Sequence, residues 1–153
     1  EGAVDRDALA ARVLAVAPVS GAEPTYSLLE GELQGKPMLA MLTLGLKRLD
    51  YLSHEWHAEV SIAYSRVLEN GLPPDDVLGE GHVLEEELLA AVQKTSAVTY
   101  GHLIHGGKLR VFLYAESRDS VDTLIRAWAA THPERRIITE WEHDPDWTSF
   151  ARF

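Results

Sequence analysis

The chain has no cysteine among its 153 residues. That removes disulfides, thiolate-bound zinc and a cysteine nucleophile. It also lacks an apolar run of the roughly 20 residues that a membrane helix needs; its longest lies around Met38–Leu46. No basic-then-apolar export signal is visible, and a cytoplasmic setting is the default expectation. Basic side chains are scarce: 14 Lys and Arg face 24 Asp and Glu, for a net charge of −10 with histidines neutral. The deficit is uneven, with 5 basic and 7 acidic side chains in residues 1–53 but 9 and 17 in residues 54–153. Such a surface repels a phosphate backbone and an anionic membrane, which disfavours nucleic-acid and membrane partners. It permits a protein partner with a basic surface, and it also serves solubility alone.

Catalytic motifs are equally scarce. There is no G-x-S-x-G elbow, and Ser53 beside His54 means little because triads are spatial. Gly106-Gly107-Lys108 lacks the spacing and following helix of a phosphate loop and reads as a hairpin tip. Arg135-Arg136 is too small a patch for nucleic acid. Internal repeats and low-complexity linkers are absent. No cofactor is implied.

What is present is ordinary globular composition, 46% hydrophobic and 25% charged, in a chain long enough for one domain with a core. Asp5–Val16 reads as a short helix, with Leu9, Val13 and Val16 on one stripe. Tyr26–Leu33 and Met38–Leu46 read as strands around a Gln34-Gly35 turn. The second strand is apolar on both faces, so both need cover, and the first helix is a candidate for it.

From His54 the alternation is clean. Trp56, Ala58, Val60, Ile62 and Tyr64 point one way; Glu55, His57, Glu59, Ser61 and Ser65 point the other. "NGLPPDD" stops that strand and starts a helix to about Lys94, whose buried stripe is Val77, Gly81, Leu84, Leu88, Ala91 and Val92. Ala97–His105 and Lys108–Ala115 form a second hairpin. Asp119–His132 is a second helix and Arg136–His143 a last strand.

The fold expected is α+β: a ferredoxin-like βαββαβ core over residues 54–143, its antiparallel sheet carrying two helices on one face. An N-terminal helix and β-hairpin (1–48) extend it, and residues 144–153 form a C-terminal clasp, all within one domain. Asp144-Pro145 ends the last strand, Asp144 or Asp146 caps a final turn, and Trp147 and Phe150 fold it back.

In order along the chain, "YSLLEGELQGKPMLAML", "NGLPPDDVLGEGHVLEEEL", "VTYGHLIHGGKLRVFLYAE" and "EHDPDWTSF" resemble the landmarks of the bacterial domain-of-unknown-function family 695. The positions that carry the likeness are Gly71, Pro73, Gly101, Gly106, Asp144, Pro145 and Trp147. The family often has arginine after the strand glycine, where this chain has His102. More distantly, the fold and acidity are similar to those of the regulator of ribonuclease E activity, protein B, which inhibits an enzyme by binding it. Neither likeness implies a reaction.

Two HxxH pairs, His54/His57 and His102/His105, sit on predicted strands, where i and i+3 face opposite ways. Neither pair can chelate one ion alone, and a zinc site is disfavoured. If the first and last core strands are neighbours, Glu55, His57, Glu59, Glu140 and Glu142 share the helix-free face. That group could hold a hard cation, perform acid–base chemistry or dock a protein; it is also what a solvated sheet face looks like. Tyr100, Phe112 and Tyr114 lie where an RNA-binding sheet would display aromatics, but with this charge we read them as core or strand-pair residues. The function expected is a small acidic binding or regulatory domain acting by protein–protein interaction, an immunity or enzyme-inhibitor role being one version of it. The alternative is a metal-dependent or acid–base enzyme built on His57, Glu59, Glu140 and Glu142. A third possibility is an apolar-ligand site on the helix-free face, which a deep pocket there would favour.

Overall fold

The computed structural model describes residues 25–153 together with the short strand Arg12–Leu14. Seven strands and two α-helices occur in the order β1 (Arg12–Leu14), β2 (Tyr26–Leu33), β3 (Lys36–Thr43), β4 (Trp56–Ala63), α1 (Asp75–Val92), β5 (Val98–His105), β6 (Lys108–Ala115), α2 (Arg118–Ala130) and β7 (Ile137–His143). They form an α+β structure with one seven-stranded antiparallel sheet of order β1-β2-β3-β5-β6-β4-β7. No described helix is long and apolar enough to cross a membrane.

Each element follows from its local pattern. Gln34 and Gly35 both take positive φ, 53° and 74°, the turn that matches the twist of the β2–β3 hairpin. Proline 74 precedes the first turn of α1, and Asp75 and Asp76 there complement the helix dipole. The α1 stripe buries Val77, Gly81, Leu84, Leu88 and Val92. Ser117 caps α2, which buries Val121, Ile125 and Trp128.

The helix expected over Asp5–Val16 is corrected at Arg12–Leu14, which pairs with β2 in the register Val13↔Leu29. A helix of that length is marginal on its own, whereas the free edge of β2 offers a ready ladder. The rest of that segment lies outside the described residues. The β2–β3 hairpin is built into the sheet, because β3 pairs with β5 from Leu39↔Ile104 to Leu42↔Gly101. Gly101 makes this possible: a Cβ there would stand 2.3 Å from the Met41 carbonyl oxygen.

Two apolar clusters sandwich the sheet. On one face α1 and α2 pack over Ala58, Val60, Ile62, Val111 and Leu113. Of the readings open for the opposite face, the wet sheet face is corrected, while Tyr100, Phe112 and Tyr114 are core residues as expected. Met38, Tyr100, Leu103, Phe112, Tyr114 and Trp147 form a second buried cluster there, with Tyr51 and Phe150 against it. Strand alternation separates the faces but does not say what a distant part of the chain lays over them.

Candidate functional site

The helix-free face is assembled by the neighbours of β4. Glu59 stands opposite Glu140 on β7 and opposite Phe112 on β6; His57 stands opposite Glu142 and Tyr114. Tyr100 enters through a bulge between Thr99 and Gly101. Its ring keeps the face of Val98 and Tyr114, where it stacks on Phe112 with centroids 5.5 Å apart and planes 18° from parallel, and the extra residue resets the alternation beyond it so that Leu103 joins the same face.

Between these strands, the β2–β3 hairpin and the C-terminal segment lies a cleft of about 430 Å³. Its floor is the buried side of Met38, His57, Tyr100, Leu103 and Phe112. Glu59, Glu140 and Glu142 stand at its rim, with Arg110, Arg152 and Phe153. That volume falls within the range of small-ligand pockets.

His57 is buried, which excludes the reading of it as part of a solvated face. Its Nε2 lies 2.8 Å from the Tyr100 hydroxyl and its ring 5.0 Å from that of Tyr114. Burial lowers its pKa below 6.5, although the Asp144 and Glu142 charges pull the other way. Burial also pushes the Tyr100 hydroxyl above its ordinary range. The pair is therefore neutral, with His57 Nε2 and the Tyr100 hydroxyl committed to each other. Arg110 Nε sits 3.4 Å from Glu59 Oε1 but outside hydrogen-bond geometry, so that buried donor is unpaired. Ser61 and Ser149 donate to Glu59 and Glu142, each at 3.2 Å. Glu55 turns away to pair with His143 at 3.2 Å.

The HxxH histidines go to four separate places. His54 Nε2 donates to Ser96 O at 2.5 Å and His105 Nε2 to Leu33 O at 2.8 Å. His102 Nδ1 lies 2.7 Å from Glu85 Oε1, on the helix side of the sheet. All four are buried. Among the described residues no three His, Asp or Glu side chains converge as a metal site.

The glycine and proline landmarks hold loops together. Gly71 packs on Gly106, 3.3 Å from where its Cβ would be, and Gly107 N donates to Gly71 O at 2.7 Å, while Pro73 is buried. Pro145 O accepts from Arg48 Nε at 2.8 Å. Asp144 accepts from the Tyr114 hydroxyl, Thr148 N, Thr148 Oγ1 and Ser149 N at 2.7–2.9 Å. Burial alone would raise its carboxyl pKa; these hydrogen bonds outweigh burial and hold it well below 3.8.

Sequence reasoning missed Arg110, Ser149, Arg152, Phe153 and Met38 as cleft residues. The available signal was the aromatic spacing of Tyr100, Phe112 and Tyr114, which marked this face as more than polar.

The fold and the cleft define a small α+β domain whose sheet carries helices on one face and an acid-rimmed aromatic pocket on the other. A family model matches residues 26–153, and the chain belongs to that family, described as a family of unknown function (DUF695). No curated protein and no solved structure gives a significant match.

Proposed function

We propose that the chain is a non-enzymatic binding domain that docks a protein partner on its helix-free face, the cleft taking a basic side chain with an apolar stem. One observation carries this reading: three carboxylates, Glu59, Glu140 and Glu142, rim a floor of buried aromatics. A lysine or arginine satisfies both parts at once, its stem on Phe112 and Tyr100 and its charge at the rim. Arg110 offsets one of the three carboxylates, so the rim retains negative charge even beside Arg152. The charge of −10 extends the same preference over the surface. We also read β4 to β7 as a ferredoxin-like unit, supported by its βαββαβ order and the strand order β5-β6-β4-β7. An inhibitor that masks the basic site of a cytoplasmic enzyme or toxin is one specific version.

Selection of linear peptides from a display library tests this. Binders should be rich in lysine or arginine, associate more slowly as salt rises, and lose affinity to the double variant Glu140→Lys, Glu142→Lys. Binders without basic residues, unaffected by that reversal, would sink the reading.

A second reading, acid–base or metal-dependent catalysis by His57, Glu59, Glu140 and Glu142, is favoured by one feature: His57 and Tyr100 line the cleft. It is weaker because that imidazole is already hydrogen-bonded and buried. Divalent-cation heat in calorimetry that vanishes with Glu59→Gln would revive it.

A further inference from the structure

Resting on that docking reading, we infer that the partner supplies a strand: an extended segment with basic residues at every second position adds antiparallel to the outer edge of β7. β7 is the last strand of the sheet on its side. It is seven residues long and contains no lysine or proline. Its register with β4 runs without a bulge from Trp56↔His143 to Ile62↔Ile137. Edge strands are commonly blunted by charged side chains, proline, bulges or shortness; β7 has no proline or bulge and is not short, and the carboxylates it does carry, Glu140 and Glu142, repel an acidic strand but admit a basic one.

The free backbone groups can be assigned. Ala63 N donates to Arg136 O at 3.0 Å and Asp144 N to Glu55 O at 2.7 Å. Even-numbered residues of this segment therefore bond inward to β4, and antiparallel geometry turns Ile137, Thr139, Trp141 and His143 outward. Among the described residues no turn, loop or side-chain hydrogen bond uses the N–H or C=O of those four.

Side-chain placement then selects the partner. Glu140 and Glu142 share the face of the cleft. An added antiparallel strand hydrogen-bonds through the residues opposite Thr139 and Trp141. Its alternate residues fall opposite Glu140 and Glu142, in the closely spaced pairs where opposite charges attract and like charges repel. A second copy satisfies the two carboxylates less well: self-pairing centred on Glu140 or Trp141 sets Glu140 against itself or against Glu142, and centred on Thr139 it sets Glu142 opposite Arg136 but Glu140 opposite Ile138. An antiparallel strand fits a sheet in which every pairing is antiparallel.

The probe is an acetylated, amidated heptapeptide alternating lysine and threonine, lysine at both ends, titrated to millimolar concentration against the full chain and followed by amide NMR. Binding should slow exchange at Thr139, Trp141 and His143, and Glu140→Gln with Glu142→Gln should abolish it. N-methylation of the threonines removes the donors that face β7 and should weaken binding by about tenfold or more; N-methylation of the lysines should not. A glutamate–threonine peptide should not bind. If the lysine peptide binds through the carboxylates but neither methylated series matters, strand addition is overturned and docking survives. If only the lysine series matters, antiparallel addition is overturned. If the lysine peptide does not bind, this inference and the docking reading both fall. Sedimentation showing a dimer with the same three amides protected before peptide is added would make the occupant a second copy, which also overturns it.

Discussion

Trp147 lies flat on Tyr114, with ring centroids 4.1 Å apart and planes 6° from parallel. Each ring is anchored at its polar end. Trp147 Nε1 donates to His54 O at 2.7 Å, and the Tyr114 hydroxyl donates to Asp144 Oδ2 at 2.7 Å. Trp147 adopts φ 56°, a left-handed conformation uncommon for a large side chain. The stack must offset a backbone cost of about 1–2 kcal/mol. The carboxylates and tryptophan that end the chain thus divide: Asp144 and Trp147 close the second core, while Glu140 and Glu142 remain at the cleft rim.

Trp147→Ala should therefore cost about 3–5 kcal/mol, the usual range for a buried large aromatic. Trp147→Phe should cost less, since it keeps a ring on Tyr114 and loses the bond to His54 and part of the buried ring volume. Urea unfolding measures both. A wild-type midpoint for Trp147→Ala would show that the stack contributes little; lost partner binding in that variant would then make Trp147 a docking residue.

Asp144→Asn should destabilise by about 1–3 kcal/mol, because an amide cannot accept all four hydrogen bonds and puts a donor against Ser149 N. The carboxyl pKa is lowered in the folded chain from an ordinary 3.8. The unfolded chain thus takes up this proton first as pH falls. The contribution is complete well above 3.8 and is lost as pH drops through 3.8 towards the folded value. Wild type should lose stability across that window more steeply than Asp144→Asn. Parallel curves would remove Asp144 as a source of acid sensitivity.

Two glycines in α1 should respond with opposite signs. A Cβ at Gly79 would meet nothing within 4 Å. Gly79→Ala should stabilise by about 0.5–1 kcal/mol through helix propensity and unfolded-state entropy. A Cβ at Gly81 would stand 2.7 Å from Tyr64 Cε1 and 2.8 Å from its hydroxyl. Gly81→Ala should destabilise by about 1–2 kcal/mol, since overpacking outweighs propensity. A double-mutant cycle with Tyr64→Leu should recover most of that loss; additive effects would locate the cost elsewhere.

These contrasts mark where the sequence was readable. The α1 stripe and the β4 alternation stand out because 3.6-residue and 2-residue periods are local signals. The meeting of Glu59 with Glu140 required only that β4 and β7 be neighbours. The burial of His57 was not readable, because its cover comes from strands and a C-terminal segment distant in sequence, Tyr100 and Tyr114 among them. Arg12–Leu14 misled for a related reason: Leu9, Val13 and Val16 have helical spacing, while pairing with Leu28–Glu30 is long-range.

His57 supplies a pH test of the cleft. Burial lowers its folded pKa below 6.5. Between the folded value and 6.5 the unfolded chain binds a proton that the folded chain refuses, so stability falls with pH there and is complete above 6.5. His57→Gln keeps a hydrogen-bonding group for Tyr100 but cannot titrate. The stability advantage of wild type over His57→Gln should shrink as pH drops from 7 to 5, read by urea unfolding at half-unit steps. Protonation would also place a positive charge beneath the carboxylate rim. Basic peptides should then lose affinity for wild type as pH falls through the folded value, below 6.5, with a smaller change for His57→Gln. A stability difference that stays flat, or one that grows towards acid, would mean that His57 is not held neutral by its burial.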